Sequence, residues 1–131
     1  MSTDSLNYVL VINSDITQQG SHSGYRFACE LLKQGQRISQ VFFYQGISNT
    51  NGLTSIASGE TNVLALWQSL NKEHQVPLIS CISASLRRGV CDEQVADEQK
   101  LSAHNLAEGF ELGGLGEFVT ASANADRLIQ F

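Results

Sequence analysis

The order of the first three apolar segments constrains this chain more than any other feature. Leu6 to Asn13 (LNYVLVIN) is a nearly unbroken apolar run, the pattern of a strand covered on both faces. Asn13-Ser14-Asp15 then breaks it with turn formers. Ser21 and Ser23 offer N-caps for a helix running to about Gln34. Phe27, Ala28, Leu31 and Leu32 share one face of that helix, and Gly35 follows where a C-cap glycine belongs. Ile38 to Tyr44 (ISQVFFY) is a second buried-type strand. Strand, helix and strand with short links make a βαβ unit, whose strands are parallel and whose crossover is right-handed.

The rest of the chain extends this alternation. Gln45 to Glu60 is long and irregular, rich in Gly, Asn, Ser and Thr, the kind of connection that often carries function. A second helix follows, with Val63, Leu64, Trp67 and Leu70 on one face. Pro77 introduces a third strand, Leu78 to Ile82. Ser83 to Gly89 is ambiguous: Ser-Ala-Ser-Leu opens like a helix and Arg87-Arg88-Gly89 closes like one. Asp92 to Leu106 reads as a solvated helix with a weak stripe at Val95, Ala96 and Leu101. Leu115 to Asn124 reads as a small helix, and Arg127 to Phe131 as a closing strand. The fold class is therefore α/β: a single domain over residues 1–131, with a mostly parallel sheet flanked by helices on both faces.

Composition narrows the function. The chain has 131 residues, 42% of them apolar and 16% charged, with one Pro, so it is globular and long enough to bury a core. Its net charge of −5 argues against a chain that grips nucleic acid directly, because such domains are usually basic. The longest early apolar stretch falls far short of the ~20 residues of a membrane helix, and no Lys or Arg precedes it. Three cysteines, an odd number without C-x-x-C spacing, indicate neither a disulfide framework nor a zinc knuckle. A cytoplasmic protein with reduced thiols is the expectation.

Ligands and reactive groups in parallel α/β sheets gather beyond the carboxyl ends of the strands. Of the three segments there, only the one after the third strand carries a strong nucleophile, Cys81. A thiol between a strand end and a helix start faces unpaired N–H groups and a positive dipole end, surroundings that favour the thiolate. The bland alternative is a small buried hydrophobe. Cys29 lies off the apolar helix face and reads as incidental. Cys91 precedes Asp92 and Glu93, whose carboxylates disfavour a thiolate. Nothing places His22, His74 or His104 beside Cys81, and a metal held by Cys81, Cys91 and His104 matches no zinc spacing. Gly113-Gly114-Leu115-Gly116 lacks the G-x-G-x-x-G order and follows no convincing strand, so it reads as a flexible entry into the last helix. Arg87-Arg88 admits three roles: tuning Cys81, docking an acidic partner, or capping a helix.

Five segments, VFFY (Val41 to Tyr44), LTSIAS (Leu53 to Ser58), CISASLRRGV (Cys81 to Val90), GFELGGLGE (Gly109 to Glu117) and DRLIQF (Asp126 to Phe131), resemble the DsrE/TusD-like sulfurtransferase family in the same order. The resemblance spans Asn7 to Phe131. It implies a DsrE-like α/β sandwich and a heterohexamer with TusB-like and TusC-like subunits. It also implies that Cys81 is the catalytic residue, accepting sulfane sulfur from a TusA-like donor and passing it to a TusE-like acceptor for 2-thiolation of the tRNA wobble uridine. No cofactor and no metal is implied. The link Gln45-Gly46-Ile47 is a residue shorter than the family's, and Cys91 is not part of its motif. Two alternatives remain beside this reading: a DsrE subunit of dissimilatory sulfur oxidation, and a non-catalytic assembly subunit of the same fold. Because a second thiol within reach would discharge a persulfide, Cys29 and Cys91 are expected to keep their Cα atoms beyond ~7 Å from that of Cys81.

Overall fold

A computed structural model describes residues 4–131. Its elements are β1 (Asn7–Ile12), α1 (Gln19–Lys33), β2 (Arg37–Phe43), a 3₁₀ turn (Ile47–Thr50), α2 (Val63–His74), β3 (Leu78–Cys81), α3 (Ile82–Arg87), α4 (Glu93–Gln99), β4 (Phe110–Gly113), α5 (Leu115–Ala123) and β5 (Arg127–Gln130). The strands form one sheet of order β4-β3-β2-β1-β5, and every pairing is parallel.

That order explains where the helices lie. From β1 to β4 each strand is laid beside the previous one in the same direction, so right-handed crossovers bring the intervening helices to one face. The return from β4 to β5 runs the other way and puts α5 on the opposite face. On the first face the core is dense: Trp67 meets Phe43 edge-on at 5.2 Å between ring centroids and Tyr25 at 5.8 Å, and Phe43 meets Phe110 at 5.4 Å. The second face is thin. α5 has no buried residue and is seated mainly by Phe118, stacked on Phe42 at 4.3 Å with the planes 19° apart. Among the described residues, two buried polar atoms, Gln40 Oε1 on β2 and Ser122 Oγ on α5, have no hydrogen-bond partner. The expected helices on both faces are present, but the two layers are unequal.

Most elements follow the sequence pattern. In α1, Ala28 and Leu31 are buried and Phe27 and Leu32 half-buried. The helix ends as its glycine requires. Gly35 takes φ +80°, its N–H reaches the Leu32 carbonyl at 3.1 Å, and the Gln36 N–H reaches that of Leu31 at 2.9 Å. The expected N-caps are displaced: α1 starts at Gln19 with Gln18 as its N-cap, and Ser21 is buried inside the helix. Val63, Leu64, Trp67 and Leu70 all turn inward from α2, whose Asn62 side chain caps the Ala65 N–H.

Three expectations are corrected. Gln45 to Glu60 is only partly irregular, because it contains the 3₁₀ turn and an antiparallel bridge from Asn51 to Leu106. The helix expected over Asp92 to Leu106 is cut to α4, which Asp92 caps and Lys100 ends in the left-handed conformation, leaving Leu101 exposed. The glycine-rich segment does follow a strand, since Gly113 is the last residue of β4 and Gly114 the N-cap of α5.

Candidate active site

The 3₁₀ turn after β2 ties together the carboxyl ends of β1, β2 and β3. Its Asn49 and Thr50 are fully buried. The Asn49 side-chain amide donates to the carbonyls of Ser14 and Gly46, both at 2.9 Å, and its Oδ1 accepts from Ser21 Oγ at 2.5 Å. Ser21 Oγ in turn accepts from the indole N–H of Trp67 at 3.1 Å, which joins α1, α2 and the turn in one network. Gly46 is required here because a Cβ would come within 2.6 Å of the Ser14 carbonyl oxygen. Thr50 continues the network sideways: its hydroxyl donates to the Ile47 carbonyl at 2.9 Å and lies 3.1 Å from Ser80 Oγ on β3, which lies 2.7 Å from Ser85 Oγ on α3.

Cys81 stands where the sequence puts it, as the last residue of β3 and the N-cap of α3, but it is 1% exposed and belongs to the main core. Its thiol is therefore closed off from solvent. The cause is topological: β3 lies between β2 and β4, and the chain turns into α3 at the very next residue. The thiol makes no capping hydrogen bond to α3. The arginines lie at the other end of this helix, about 9 Å along its axis at 1.5 Å per residue. Both are exposed, and the Arg88 guanidinium donates to the Ala84 carbonyl at 3.2 Å. Of the three roles open to the pair, this geometry supports the helix cap for Arg88.

The other candidates are dispersed. Cys29, Cys81 and Cys91 all carry free thiols. Cys91 sits in a separate small cluster with Val95 and Ala96, and its Sγ donates to the Ala103 carbonyl at 3.4 Å. Cys29 is half-buried on α1, one turn after Tyr25. The interaction of the Tyr25 hydroxyl with the Cys29 side chain, followed by burial, raises the Tyr25 pKa above its ordinary value of 10.0. His22 is half-buried beside the loop carrying Thr54 and Glu60, whereas His74 and His104 are exposed. Among the described residues no group of His, Cys, Asp and Glu could hold a metal ion, and no helix is long and apolar enough to cross a membrane.

The residues that sequence reasoning missed are Thr50, Ser80 and Ser85. Their only trace in the sequence is a polar side chain, Ser80, interrupting an otherwise apolar strand.

Known proteins resemble this chain along nearly its whole length. It is 46% identical over 129 residues to the protein named Sulfurtransferase TusD of Serratia proteamaculans, covering 96% of this chain and 99% of that one. It is 42% identical over 128 residues to the Sulfurtransferase TusD homolog of Vibrio vulnificus, covering 96% and 98%. The crystal structure of the ychN protein from E. coli superposes with a TM-score of 0.68 over 97% of this chain and 99% of that one, a likeness of fold at 19% identity. A sequence profile of the DsrE/DsrF-like family matches residues 7–131, from the first strand to the last, and the chain belongs to that family.

Proposed function

We propose that this protein is the sulfurtransferase of a sulfur relay and that Cys81 carries the transferred sulfur as a persulfide. The observation that carries the reading is the position of Cys81 at the carboxyl end of β3, in a chain 46% identical to a protein named Sulfurtransferase TusD. The Cys81 thiolate attacks the outer sulfur of a donor persulfide. A bond forms between Cys81 Sγ and that sulfur, the donor's S–S bond breaks, and the donor leaves as its thiolate. The thiol proton passes to water or to the leaving thiolate. The acceptor's thiolate then attacks the outer sulfur of the Cys81 persulfide, and Cys81 leaves as thiolate. No net oxidation occurs, and no electron source is consumed.

The finer assignment follows the same reading. The donor is a TusA-like protein, the acceptor a TusE-like protein, and TusB-like and TusC-like chains complete a heterohexamer that serves 2-thiolation of the tRNA wobble uridine in the cytoplasm. The acidic charge of −5 fits a chain that hands sulfur to proteins and leaves the tRNA to others.

The burial of Cys81 favours a second reading, a non-catalytic assembly subunit in which this thiol is a packed core residue. One experiment separates the two. After incubation with a persulfidated TusA-like protein, mass spectrometry of the relay subunit finds one added sulfur on the Cys81 peptide, and none in Cys81→Ser. Sulfur transfer at full rate by Cys81→Ser, or sulfur only on Cys29 or Cys91, overturns the proposal.

A further inference from the structure

We propose that the buried hydroxyls of Ser85, Ser80 and Thr50 form a one-way positioning chain that sets the strand-to-helix corner holding Cys81 and aims its thiol for sulfur transfer. The inference rests on the reading of Cys81 as the sulfur carrier. Thr50 Oγ1 donates to the Ile47 carbonyl, which spends its only proton. Ser80 is therefore the donor in the 3.1 Å contact with Thr50, and Ser85 the donor in the 2.7 Å contact with Ser80. Each proton points from α3 toward the turn after β2.

All three residues are fully buried, where an apolar side chain of similar size would cost less to desolvate. A buried chain with every donor used instead favours a single arrangement of the elements it joins. The elements joined here bracket Cys81. Ser80 immediately precedes it, and Ser85 lies one turn beyond it on α3. Since the Cys81 side chain does not cap α3, the corner is held by these neighbours and not by the thiol. Ser80, Ser85 and Thr50 are thus positioning residues.

The test compares Thr50→Val, Ser85→Ala and the hydroxyl-retaining Thr50→Ser in the full chain. One readout is the rate at which Cys81 gains sulfur from glutathione persulfide, followed by mass spectrometry over a range of donor concentrations. The other is the rate at which iodoacetamide alkylates Cys81 relative to Cys91 in the folded protein. Cys91 is also buried, 4% exposed, so the ratio cancels any contribution from global unfolding.

Thr50→Val and Ser85→Ala are expected to raise the alkylation ratio at least about fivefold, as local opening would. They lower the maximal loading rate about tenfold, with half-saturation unchanged. Thr50→Ser matches the wild type in both. An unchanged ratio, a parallel rise at Cys81 and Cys91, or loading at the wild-type rate in Thr50→Val and Ser85→Ala overturns the proposal. If the wild type gains no sulfur at Cys81, the sulfurtransferase reading fails by itself, and the alkylation ratio still decides whether the hydroxyls set the corner.

Discussion

Cys81 and Gly113 are direct partners in the β3–β4 ladder, so the candidate nucleophile has beside it, on the next strand, a residue without a side chain. The space that side chain would occupy is filled by Ile79, two residues before Cys81 on the same strand. A Cβ on Gly113 would come within 2.5 Å of Ile79 Cγ2. Gly113→Ala must therefore push Ile79 aside next to the thiol. We expect it to cost about 1–3 kcal/mol of stability by overpacking, measured by chemical denaturation, and to change the native alkylation rate of Cys81.

Ser21→Ala removes the hydroxyl between Trp67 and Asn49 and leaves the indole N–H and the amide oxygen without that partner in the core. The expected loss is about 1–3 kcal/mol, since buried polar groups are stranded on both sides. A urea melt that overlays the wild type would show that the network contributes nothing to stability.

On the thin face the Phe42–Phe118 stack is the main contact of α5. Phe118→Ala forfeits the ring pair, about 0.5–1.5 kcal/mol beyond the area it buries, and hydrogen exchange in α5 should then accelerate while α2 stays protected. Equal acceleration in both helices would mean that α5 is no separate layer.

Ser122→Ala acts in the opposite direction. Its hydroxyl is buried without a partner, so removing it should leave the protein as stable as the wild type or more stable by up to about 1 kcal/mol. Thermal denaturation checks this, and a lowered midpoint would show that the hydroxyl has a partner in solution.

Tyr25 governs an alkaline effect. Its folded pKa is raised, first by its interaction with the Cys29 side chain and then by burial, while Ser69 opposes the shift. A raised acid keeps its proton longer in the folded state, so its stabilising contribution is complete below the unfolded value near 10. That contribution is lost as pH climbs from there through the folded pKa. Tyr25→Phe should therefore lose less stability than the wild type across that alkaline range and behave like it near neutrality, as read from denaturation midpoints against pH.

The parts legible from sequence were those set by local pattern. The run Leu6 to Asn13, the face Val63, Leu64, Trp67 and Leu70, and Gly35 as a helix terminator each follow from periodicity or backbone conformation alone. The parts that were not legible depend on distant partners. Ser21 has the local look of an N-cap, yet its hydroxyl is used by Trp67 and Asn49. β4 has four residues closely flanked by glycines and is defined by its pairing with β3, not by its own hydrophobicity. The position of Cys81 was readable because strand ends and helix starts are local; its closure was not, because cover comes from the strands and helix around it.

The pairing of β1 with both β2 and β5 has a consequence for biogenesis. β2 follows β1 after a single helix, but β5 lies at residues Arg127–Gln130, so β2 to β4 and α1 to α5 must leave the ribosome before β1 gains its second neighbour. Until then the nascent protein presents an open, strongly apolar strand edge of the kind that templates association between chains.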